Sequence, residues 1–193
     1  MAEPWALSSA SRDVVALYYA WAKTNYSHFN QTKALCNWFP LRVLIEFAAA
    51  SGVPVRLDYW PGQAPTKGKR FWDTTTRMIL DSHGGGFASK SAYLLKAQST
   101  VTARMIGTMN TVAVEVSAAQ PGDLICRNYS DAYWHVEFII DNRGGSISSQ
   151  AGSVPAIEPK QHASTYRNVG TSGSVYQGKP RRWEFEEIFA RPA

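Results

Sequence analysis

The sequence predicts an α+β fold, with helices first and an antiparallel sheet after them. Three observations predict it. Apolar residues recur at helical spacing in two early segments, the spacing changes to period two from about residue 112, and no regular βα alternation is present. The chain has 193 residues, 45% of them hydrophobic, and 20 Lys plus Arg against 15 Asp plus Glu give a net charge of +5. That length predicts a single domain over residues 1–193: a helical part over about 8–110, with an insert at about 55–110, and a sheet over about 111–190. Disorder is excluded because the apolar content is high and the charge modest. Two Cys exclude a disulfide framework. The longest apolar pattern, Leu41 to Ala50, is broken by Arg42 and Glu46, so no segment approaches the roughly 20 apolar residues of a membrane span, and no membrane insertion is expected.

Ser11 to Thr24 places Val14, Val15, Leu17, Tyr18 and Trp21 on one stripe and predicts the first helix, with Ser9 or Ser11 as N-cap. After a polar stretch, Leu41, Leu44, Ile45 and Ala48 predict a second, strongly apolar helix. Pro40 suits its first turn, and Gly52 its C-cap. Residues 55 to 70 read as a loop, and Arg70 to Asp81 and Lys90 to Gln98 as helices joined by Ser82-His-Gly-Gly-Gly86. Strands are expected at Val112 to Val116, Asp123 to Arg127, His135 to Asp141, Ser146 to Gln150 and Arg182 to Phe185.

Cys36 stands at the start of the second helix, where the helix dipole and unpaired N–H groups favour a thiolate and can hold an oxyanion. His135 opens an apolar strand and is the candidate general base for a Cys36 nucleophile. Arg143-Gly-Gly145 predicts a hairpin turn, so the returning strand should bring Gln150 or Ser148 beside the imidazole as its orienting group. Trp38 and Trp134 adjoin the two catalytic candidates and are expected to wall a substrate groove. Cys126 reads as a core residue. His28, His83 and His162 read as surface residues, since no CxxC or HExxH spacing marks a metal site; neither metal nor cofactor is expected. The densest basic runs, Lys67 to Arg70 and Lys179 to Arg182, are too short to imply nucleic acid.

Pro121-Gly-Asp-Leu124, the strand His135-Val-Glu-Phe-Ile-Ile-Asp141, the glycine turn and Ser149-Gln-Ala-Gly-Ser-Val154 resemble the second half of an NlpC/P60 or CHAP-type papain-like domain, with a branch resembling the DUF2272 group. The resemblance spans about residues 10 to 160 and is strongest over 121 to 152. Around the cysteine this chain has Leu35-Cys36-Asn37-Trp38 where the family shows Asp-Cys-Ser or Asp-Cys-Gly. The resemblance implies a cysteine amidase or endopeptidase acting on peptidoglycan peptides. It assigns Cys36 as nucleophile, His135 as base and Gln150 as third residue, with Asp141 as the fallback. Because residues 1 to 9 lack a secretory signal, synthesis in the cytoplasm is expected. Delivery to a target periplasm by a type VI-type secretion machine or through a phage holin would follow, with a carrier and an immunity protein as partners. A cysteine hydrolase acting on a protein or small amide inside a target cell, and a non-catalytic papain-like binding module, are the alternatives.

Overall fold

The computed structural model describes residues 5–6, 13–62, 76–130, 133–152, 156–165 and 178–190. Its helices are α1 (Val14–Asn25), α2 (Trp38–Ser51), α3 (Lys90–Thr100), α4 (Ala103–Met109) and α5 (Phe185–Ile188). The strands are β1 (Arg56–Tyr59), β2 (Met78–Asp81), β3 (Thr111–Ala113), β4 (Leu124–Ser130), β5 (Tyr133–Arg143), β6 (Ser146–Ala151), β7 (Lys160–Thr165) and β8 (Lys179–Trp183). Six of them form an antiparallel sheet in the order β3-β8-β4-β5-β6-β7, and β1 and β2 pair separately. The α+β expectation therefore holds. Among the described residues no helix is long and apolar enough to cross a membrane.

Leu41, Val43, Leu44, Ile45, Phe47 and Ala48 are all buried, so α2 is apolar around most of its circumference, as a helix in the middle of a core must be. It ends where expected, at Gly52, whose φ of 64° is the left-handed conformation that a residue without Cβ adopts at no steric cost. Phe39 meets Phe138 edge-on across the boundary between α2 and the sheet. Period two then divides the sheet. Leu124, Cys126, Val136 and Phe138 face the helices in the main core, while Ile125, Ile139 and Ile147 form a smaller cluster on the opposite face with Ala119.

Several boundaries differ from the expectation. The N-cap of α1 is Asp13, whose carboxylate accepts from the Ala16 N–H at 3.0 Å; Ser9 and Ser11 lie outside the described residues. Val15 and Leu17 of the expected stripe are exposed, and Tyr18 and Ala22 carry the burial. Residues 78 to 81, expected as the end of a helix, form β2, because pairing with β1 sets Leu80 opposite Leu57 and buries both. Residues 56 to 59, expected as loop, are the other half of that pair. The last expected strand shifts to Lys179–Trp183, and Phe185 begins α5.

Candidate active site

Cys36 lies in the turn that leads into α2, and three neighbours clamp that turn. Asn37 donates from its side chain to the carbonyls of Val101 (2.8 Å) and Gln98 (3.3 Å) at the end of α3. Ala34 and Ile157 exchange backbone hydrogen bonds of 2.8 and 3.3 Å. The chain leaving β6 also passes so close that a Cβ on Gly152 would fall on the Ala34 carbonyl. Only glycine fits there. The Cys36 side chain is consequently buried, with 8% of the residue exposed.

The thiol meets the backbone N–H groups of Val136, Asn37 and Cys36 itself. Burial pushes its pKa above the ordinary value of 9.0, and these N–H groups only partly oppose the rise. The Val136 contact also fixes where the thiol sits. The Ile139 N–H points to the Asp123 carbonyl on the β4 side, so by alternation the Val136 N–H points to the β6 side. There, β6 has nearly run out: Phe138 pairs with Gln150, one residue before the strand ends at Ala151. The thiol thus occupies the place that a longer β6 would fill.

His135 is the residue before Val136, and its side chain leaves the strand on the opposite face. Its Nε2 stands 3.7 Å from the Glu137 carboxylate, two residues along the same face. Glu137 is buried, receives Arg127 Nε at 2.7 Å, and accepts a second, short hydrogen bond from Ser149. Burial alone would raise the Glu137 pKa. The bonds from Arg127 and Ser149, with the positive charge of Arg127 and that of His135 when it is protonated, outweigh it and hold the carboxyl below its ordinary value. The Cys36 thiol therefore meets β5 at Val136, next to His135, but the thiol bonds to backbone and the imidazole is turned toward Glu137.

Gln150 and Ser148 do not reach His135. A bulge between Ile139 and Asp141 inserts Ile140 into β5, pairing Ile139 with Ser149 and Phe138 with Gln150. Without the extra residue the hairpin would set Gln150 opposite Ile139, on the histidine's face. With it, Ser149 takes that face and Gln150 turns to the helix side, buried and donating to the Pro159 carbonyl at 3.1 Å. Asp141 pairs with Arg143 at 2.7 Å at the exposed end of the hairpin, away from the imidazole. Glu137 is the carboxylate that sequence reasoning passed over. Its signal was present as His-x-Glu in a strand, which period two places on one face.

The two tryptophans part company. Trp38 donates to the Gln98 carbonyl at 3.0 Å and lines a cavity of about 140 Å³ beside the Cys36 turn, with Phe29, Lys33, Ala34 and Arg42. Trp134 packs on the helix side of β5 against α4, so close that a Cβ on Gly107 would come within 3.0 Å of its ring. Cys126 is buried beside Val136, and burial pushes its thiol up to about 12. No group of three or more His, Cys, Asp or Glu among the described residues could hold a metal ion. No protein-family model, curated protein or solved structure matches the chain.

Proposed function

We propose that the chain is a cysteine-dependent hydrolase that cleaves amide bonds of peptidoglycan peptides. The observation that supports this reading is the Cys36 thiol at the start of α2, met by the N–H groups of Asn37 and Val136 and one residue along β5 from the His135–Glu137 pair. Cys36 Sγ would attack the amide carbonyl, and the N–H groups of Cys36 and Asn37 would hold the oxyanion. With Nε2 against Glu137, His135 Nδ1 is the nitrogen that would take the thiol proton and return it to the leaving amine. The imidazole must swing around the edge where β6 ends for that exchange. Water then hydrolyses the thioester. The substrate class rests on the resemblance of residues 121 to 152, and delivery to a target periplasm, with an immunity protein in the producer, belongs to the same proposal.

A second reading is favoured by the raised Cys36 thiol and by the imidazole's orientation: a non-catalytic papain-like module that binds a wall peptide. Mass analysis of muropeptides released from purified cell walls separates the two. Wild type should release peptides and folded Cys36→Ala should not; equal release by both proteins overturns the nucleophile assignment, and release by neither favours the binding module.

A further inference from the structure

The cavity beside Cys36 has a composition that selects a ligand. Phe29, Phe39 and Trp38 give it an aromatic lining, and two cations, Lys33 and Arg42, line it with Thr32 and Gln98. Neither cation forms an ion pair among the described residues. The reason for Arg42 is visible in α2. Glu46, one turn further on and its natural partner at i+4, is instead bonded to Lys90 Nζ at 2.6 Å. The positive end of the 14-residue α2 adds to the same field.

We infer that this cavity binds a carboxylate of the peptide whose amide lies against Cys36. The inference rests on the hydrolase reading for the identity of the bond, but not for the presence of the pocket. Ala34 in the wall is two residues before the cysteine and Trp38 two after it, spans of at most about 7 Å of chain. A group seated there is within about two peptide residues of the thiol. The volume of about 140 Å³ suits a short acidic side chain or a chain terminus. The aromatic lining packs its methylene groups, and the guanidinium offers paired donors to the carboxylate.

The test is calorimetric binding to the Cys36→Ala protein of a wall-derived tetrapeptide with free carboxylates and of the same peptide with its carboxylates amidated. The acid should bind about tenfold to a hundredfold tighter, the range of a charged hydrogen bond, and the preference should shrink as salt rises. Lys33→Gln/Arg42→Gln should reduce the preference to within about twofold, while Arg42→Lys, which keeps the charge, should retain part of it. Equal affinity for acid and amide, no binding of either, or a preference that survives in the double Gln variant overturns the inference. Acid preference in Cys36→Ala, alongside a wild type that releases no muropeptides, would leave the pocket standing and remove the hydrolase.

Discussion

Val136 gives its backbone N–H to the Cys36 thiol, so the candidate nucleophile is fastened to the residue that follows its candidate base. The contact exists because β6 stops one residue after Gln150 and leaves that N–H without a strand partner. A sulfur held by backbone donors is stabilised as thiolate, but burial acts against it and wins in this state. On the proposed hydrolase reading, substrate binding would have to turn the imidazole toward the sulfur before attack.

That balance predicts the pH dependence of thiol chemistry. With both thiols raised by burial, iodoacetamide should label the folded protein at neutral pH more slowly than it labels a free cysteine. As pH increases, Cys36 should react before Cys126, whose pKa is about 12. Mass spectrometry of alkylated peptides follows each site. Fast labelling of Cys36 at pH 7 would mean that the imidazole already faces the sulfur in solution.

Glu137 predicts an acid limb in stability. Folding holds its carboxyl below 4.5, so the unfolded chain takes the proton more readily than the folded one. The stabilisation is complete above that ordinary value and is lost as pH falls through the lower folded value. Glu137→Gln should flatten this limb and, by removing the buried charge that Arg127 Nε is bonded to, cost about 3 kcal/mol at pH 7. Ser149→Ala, which removes one bond to the carboxylate, should cost about 1 to 2 kcal/mol. Urea unfolding between pH 3 and 7 measures both, and an unchanged acid limb in Glu137→Gln would refute the assignment.

The fold class, α2 with its cap and the β5–β6 hairpin were legible because each rests on local periodicity and turn chemistry. Gly144 and Gly145, with φ of 59° and 94°, form the turn their sequence announces. The third site residue was not legible. One inserted residue, Ile140, reverses the faces of β6, and no periodicity shows a bulge in an apolar strand such as Phe-Ile-Ile-Asp. The β1–β2 pair was hidden for another reason. Met78 to Asp81 is four residues long, too short for either period to decide, and its strand state comes from Arg56–Tyr59 across the pair.

Asp123, the acid of the Pro-Gly-Asp-Leu turn, should be a keystone of stability. It is fully buried and accepts from Tyr19 Oη at 2.7 Å, from Arg182 Nε and Nη2 at 3.1 and 2.9 Å, and from the Gln120 N–H at 3.1 Å. It therefore ties α1 to β8 through a single side chain. Asp123→Ala should cost about 3 kcal/mol, roughly 6 to 12 °C in Tm for a chain of this size. Hydrogen exchange should quicken most in α1. Protection of α1 equal to wild type would show that Tyr18, which donates to the Gly122 carbonyl at 3.0 Å, suffices to hold the helix.

Gly152 makes the most direct test of how the Cys36 turn is held. A Cβ there would fall on the Ala34 carbonyl and close to that of Leu35, and both are backbone groups that cannot rotate away. Gly152→Ala must therefore move the turn that carries Cys36 or the chain leaving β6, a strain of about 1 to 3 kcal/mol. Gly84→Ala is the control. Its nearest neighbour, at 3.0 Å, is the Asp81 carboxylate, a side-chain end that can give way, so Tm should change by only about 1 to 2 °C. Gly152→Ala should lower Tm by several times that and, on the proposed hydrolase reading, should also slow muropeptide release, because displacing Ala34 shifts the thiol away from the Val136 N–H. If Gly152→Ala melts with the wild type and releases peptides at the same rate, the turn is not held by this contact.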